Sequence, residues 1–211
     1  MKKTLKFMVI GIIAVTMVSC QSKEEKAAEI IKKELSKNLY DFDSYQPIET
    51  IVTEAKMTMY NDSTCWKKAI AFRYGMKKVS EYLAEAKDAQ KHMEIWGKPT
   101  SYSSTYSDKQ YYQYKEEFDE NYKKSKNAYD VCKSISKELK ELITKLDTTK
   151  VIGWEAKHRF RCKTKGGHST IGEYRYVLDK DFKNVILIED IEEDSEIRES
   201  LEYVANGGFD N

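Results

Sequence analysis

Between Leu139 and Lys163 the chain reads LKELITKLDTTKVIGWEAKHRFRCK, and within it the apolar period changes from three-to-four to two. Leu139, Leu142 and Leu146 recur along one side of a helix. From Val151 onward, Ile152, Trp154, Ala156, His158, Phe160 and Cys162 share one face of a strand, and Glu155, Lys157, Arg159, Arg161 and Lys163 share the other. A long helical segment that hands over to strands predicts an α+β fold.

Upstream, the helical period continues. Ala69, Phe72, Met76, Val79, Leu83, Ala86, Gln90 and Met93 alternate spacings of three and four. Gly97-Lys98-Pro99 and a Ser/Tyr-rich stretch interrupt them. Phe118, Asn121, Ser125, Ala128, Cys132, Ile135, Leu139, Leu142 and Leu146 then resume the spacing. Two such helices joined by one loop predict an antiparallel hairpin over about 64–147. A turn near Tyr102 sets Phe72 beside Cys132, Met76 beside Ala128, Val79 beside Ser125 and Cys65 beside Leu139, so that large residues face small ones.

Downstream, the turn Lys165-Gly166-Gly167-His168 leads into a second strand. Tyr174, Tyr176 and Leu178 lie on one of its faces, Glu173, Arg175 and Val177 on the other. Asp179 to Asn184 turns again into Val185-Ile186-Leu187-Ile188. Ile51 to Tyr60 alternates in the same way, after turn formers from Tyr40 to Pro47. The expected architecture is a lead helix (Lys23 to Leu39), a four-stranded antiparallel sheet with one buried and one wet face, and the hairpin inserted between strands 1 and 2. Residues 27–211 then form a single domain. Ile197, Leu201 and Val204 predict a short terminal helix after the acidic run that begins at Glu189.

The amino terminus carries the address. Met-Lys-Lys-Thr-Leu-Lys, then the apolar run Phe7 to Val18, then Ser19-Cys20, reads as a secretory signal too short to span a bilayer. Val18-Ser19-Cys20 resembles the lipobox of bacterial lipoproteins, with Met17 where Leu is usual. That resemblance implies removal of a signal peptide, 1–19, and lipidation of Cys20. It also implies a lipidated tether, 20–26, and a membrane partner through the lipid. The alternatives are a plain cleaved signal and an uncleaved stub. Gln21-Ser22-Lys23-Glu24-Glu25 is similar to the export tag of surface-exposed lipoproteins of the Bacteroides group, or else is an ordinary charged tether. Asn38 to Pro47, and Ile152-Gly153-Trp154 through Arg161 with Gly167 and Leu178 to Asp181, resemble segments of small Bacteroides-group lipoproteins of unknown function. The resemblance implies the cell envelope and its outer membrane. It supplies no activity, and the Tyr-rich hairpin lies outside it.

Charge is balanced, with 36 Lys+Arg against 35 Asp+Glu; losing Lys2, Lys3 and Lys6 with the signal leaves 33 basic residues and a net of −2. Neither value favours nucleic acid as a partner. Beyond Cys20 there are Cys65, Cys132 and Cys162, which allow one disulfide plus a free thiol, or burial of all three. No pair has zinc-site spacing, and no motif calls for a cofactor.

Three places carry candidate chemistry. His158 falls on an apolar strand face: it is a ligand or general base, paired or not with Cys162, or a core histidine bonded to a tyrosine hydroxyl or a backbone carbonyl. Lys157, Arg159, Arg161 and Lys163, with Arg175 across the hairpin, form a cationic stripe suited to phosphate, sulfate or acidic sugar, or a solvated face covered by the acidic segment from Glu189. The hairpin apex is rich in tyrosine. Tyr111 and Tyr114 continue the helix stripe and are expected to pack, whereas Tyr102, Tyr106 and Tyr112 fall off it and suit a protein or glycan contact. Asp179 to Asn184 begins like a calcium loop but lacks its glycine and distal glutamate, and reads as a turn. The expected function is a non-enzymatic envelope lipoprotein that binds or scaffolds. The alternatives are an envelope hydrolase or transferase using His158, and a structural subunit assembling through the hairpin.

Overall fold

In the computed structural model, residues 21–209 are described; the expected signal peptide and Cys20 lie outside them. The elements run α1 (Lys23–Asn38), β1 (Asp41–Lys56), α2 (Ser63–Trp96), α3 (Thr105–Thr144), β2 (Val151–Lys163), β3 (Ser169–Asp179), β4 (Val185–Asp190) and α4 (Ser195–Ala205). The strands form one antiparallel sheet in the order β1-β2-β3-β4, with the α2–α3 hairpin in the connection between β1 and β2.

α1 starts in a capping box: Ser22 Oγ accepts from Glu25 N–H and the Glu25 carboxylate accepts from Ser22 N–H. The tag-like residues Lys23 to Glu25 are therefore the first helical turn. Ala27, Ile31 and Leu35 of α1 pack on Ala156, Phe160, Cys162, Tyr176 and Leu178.

The hairpin has the expected register. The Cys132 thiol donates to the Phe72 carbonyl at 3.8 Å, the Ser125 hydroxyl donates to the Val79 carbonyl at 3.5 Å, and Cys65 and Leu139 share one cluster. Gly75 shows how close the seam is, since a Cβ there would lie 2.4 Å from Cys132 Sγ. Towards the apex Ala89 rather than Gln90 is buried, as a straight helix drifts from a seven-residue repeat. All three described cysteines are free and buried, Cys65 and Cys132 on the hairpin helices in the cluster they share with the sheet and α4, and Cys162 under α1.

Two expectations fail. β1 begins at Asp41, not Ile51, and stops at Lys56. It is an edge strand, which accommodates Pro47, and register breaks between Asp41 and Gln46 and between Pro47 and Glu49 absorb the turn formers. The sheet also lacks a fully wet face. α1 covers one side, and on the other the root of the hairpin and α4 cover Ala55, Val177 and Leu187 with Cys65, Trp66, Ala69, Phe72, Leu201 and Val204. Only the part bearing Lys157, Arg159 and Arg161 stays exposed.

Candidate functional site

His158 sits on the α1 side of β2 with 0% exposure. Its Nε2 is 2.8 Å from the Tyr45 hydroxyl and its Nδ1 2.9 Å from the Thr50 hydroxyl, both on β1. A neutral imidazole donates one bond and accepts one, so two hydroxyl groups satisfy it in either tautomer. The ring stacks on Phe160 at 5.7 Å and Tyr45 at 6.0 Å, and burial pushes its pKa down to about 4. The imidazole is thus neutral at pH 7 with both nitrogens engaged, an arrangement that staples β1 to β2. Cys162 does not compensate as a nucleophile, because burial and then the charge of Asp41 push its thiol pKa up.

The cationic stripe divides. Lys157, Arg159, Arg161 and Lys163 are exposed. The register sets Arg159 between Glu49 of β1 and Glu173 of β3, so its surroundings are charge-balanced rather than cationic. Arg175 is opposite Lys157, as expected, yet only 3% exposed, because its face also carries Val177 and runs beneath α4 and the hairpin root. Its Nε donates to Glu189, its Nη1 to Asn61 at 2.5 Å and to Glu155 at 3.1 Å, and its Nη2 to the Tyr60 carbonyl at 2.9 Å. Glu189, 0% exposed, accepts in turn from Arg198 of α4. Burial pushes the Glu189 carboxyl up, and the hydrogen bonds from Arg198 and Arg175 more than offset it and hold the pKa below the usual carboxylate range. Arg175 therefore belongs to a buried joint between the sheet, the hairpin root and α4, and is not available to a ligand.

The apex tyrosines separate as their phase predicts. Tyr111 is buried and Tyr114 stacks on His92 at 4.5 Å, whereas Tyr102, Tyr106 and Tyr112 are 97%, 63% and 59% exposed. Trp96 meets the Tyr106 ring edge-on at 5.6 Å, and Ile95 stands 74% exposed beside it. The hairpin residues that pack into the core of the body are Cys65 to Met76 of α2 and Cys132 to Leu146 at the end of α3. Beyond them about twenty residues of α2 (77–96) and about twenty-seven of α3 (105–131), roughly 30 and 40 Å at about 1.5 Å per residue, carry the tyrosines outward.

Asp179 to Asn184 is a tight turn in which Asp179 accepts from Lys183 N–H at 2.7 Å and Asn184 Nδ2 at 2.6 Å, so its carboxylate is already engaged. Among the described residues no cluster of His, Cys, Asp or Glu has the makings of a metal site. Sequence reasoning missed Glu189 as the partner of Arg175, having assigned it to the acidic segment. The signal was its place two residues after Leu187, on an apolar face and opposite Arg175. No protein-family model, no curated protein and no solved structure matches this chain.

Proposed function

We propose that the chain is a non-enzymatic bacterial envelope lipoprotein, held at the outer membrane through an acylated Cys20, whose helical arm binds or scaffolds a protein or glycan. The observation that carries this reading is the exposure of Tyr102, Tyr106, Tyr112 and Ile95 at the end of an arm whose outer half stands apart from the body's core. Aromatic rings on a rigid support give large contact area for little conformational entropy. From 77 to 128 the arm has ten lysines against nine acids, so its contact relies on rings and shape more than on net charge. The helix α1 begins at Lys23, so only Gln21 and Ser22 would separate the fold from an acylated Cys20, which supports a short tether.

The test uses the full chain in a Gram-negative envelope, with a photo-crosslinking residue in place of Tyr102 or, as control, of Tyr74, which is exposed near the arm's root. The expected result is a discrete adduct from position 102 only, and loss of the protein from the membrane fraction on Cys20→Ala. Equal yields at both positions refute the arm as the contact, and membrane retention of Cys20→Ala refutes the anchor.

A further inference from the structure

β3 and β4 differ in length, and the difference leaves part of the sheet unpaired. The last β3–β4 partners are Tyr174 and Asp190, followed by one more bond from Ile191 N–H to the Glu173 carbonyl at 3.2 Å. There the chain leaves the sheet, because Asp190 turns back on itself: its Oδ1 accepts from Glu192 and Glu193 N–H at 3.0 and 3.1 Å. β3 meanwhile continues to Ser169, paired with β2 on its other side. Strand alternation aims the N–H and C=O of Ile171 the same way as those of Glu173, to the edge that β4 has left. Ile171 is also 47% exposed, an apolar side chain at that edge.

This edge forms one wall of a cleft of about 890 Å³, whose opposite wall is the β4–α4 turn. Charge in the cleft is one-sided: Glu173, Asp190, Glu192, Glu193 and Glu196 line it against Arg159 alone. Among the described residues Glu173, Glu192 and Glu193 are exposed and enter no ion pair, whereas Glu196 is held by Arg73.

We propose that this edge accepts an extended, lysine- or arginine-rich segment of another protein as an added strand. Backbone bonds to Ile171 give affinity, and the acidic turn selects the charge. A second copy of this chain is the poorer occupant, since pairing two such edges brings two acidic turns together. The surface is separate from the arm and does not depend on it.

The experiment measures binding of a fluorescent peptide alternating lysine and valine to the detergent-solubilised full chain. Controls are the same peptide with alternate backbone amides N-methylated, and one with glutamate for lysine. The protein variants are Ile171→Pro, which removes the edge donor without touching the β2 ladder, and Glu192→Lys with Glu193→Lys. Binding of the first peptide is expected to weaken on the order of tenfold or more with each change. Equal binding of the N-methylated peptide overturns the proposal in favour of charge alone. Self-association that Ile171→Pro abolishes overturns it in favour of a second copy. Should Ile171→Pro fail to fold, the N-methylated peptide decides.

Discussion

Lowering the pH should unfold this protein partly through His158. An unfolded histidine titrates near 6.5, whereas the folded one is pushed down to about 4 by burial. The unfolded chain therefore takes up the proton first as pH falls. Stability due to this group is complete above about pH 6.5 and is lost progressively as pH falls towards the folded value. The full difference is worth about 3 kcal/mol, of which about 2.5 kcal/mol is lost by pH ~4.5. His158→Gln supplies a comparison, because an amide also offers one donor and one acceptor to Tyr45 and Thr50 and does not titrate. Urea unfolding of both proteins at about pH 7.5 and about pH 4.5 gives the wild-type-minus-variant difference at each pH. Carboxylates that titrate in the same range cancel in that comparison. The wild type should lose about 2.5 kcal/mol relative to the variant between the two conditions. A difference that stays constant within about 0.5 kcal/mol refutes the reasoning, since the folded imidazole then titrates like an unfolded one and is not sealed.

Other outcomes follow from the packing. Arg175→Met should cost about 3–5 kcal/mol in urea unfolding, since it leaves buried Glu189 and the Asn61 and Tyr60 acceptors short of a donor, and adding Glu189→Leu should recover much of it. Gly75→Ala should destabilise by about 1–2 kcal/mol despite alanine's better helix propensity, because of the contact with Cys132 Sγ, and Cys132→Ala in the same chain should turn the change stabilising. The three described thiols should resist Ellman's reagent in the native state and react on unfolding; burial, then the charge and hydrogen bond of Asp62, push Cys65 up to about 12.

The hairpin register was legible because it follows from sizes alone: Phe72 against Cys132 and Val79 against Ser125 is the alignment in which large faces small. Tyr111 and Tyr112, adjacent in sequence, separate into buried and exposed by helical phase, which is also a local property. The beginning of β1 was not legible. Asp41, Ser44 and Pro47 are turn formers by propensity; pairing with β2 carries Asp41 and Pro47 into the strand, and Ser44 falls in the register break between Asp41 and Gln46, where it still bonds locally to Asp41. Arg175 failed for a related reason. Strand alternation correctly sets it on the face of Lys157, but which half of that face lies beneath the hairpin root and α4 is decided by packing across the chain. Glu189 was hidden by its acidic neighbours, although its partner stands directly across the ladder.

β1 and β2 are neighbours in the sheet although Glu54 and Trp154 lie a hundred residues apart. The intervening helices fold on themselves and return the chain to where it left, so the closure entropy of that span falls mainly on the short stretches at either end. Length added to or cut from the far end does not disturb that return. Removing seven residues from each helix shortens the arm by about 10 Å and keeps large facing small. The reach of this molecule is thus a parameter separable from its stability. It resembles a ruler whose graduations are heptads, and its length can change without redesigning the body that holds it.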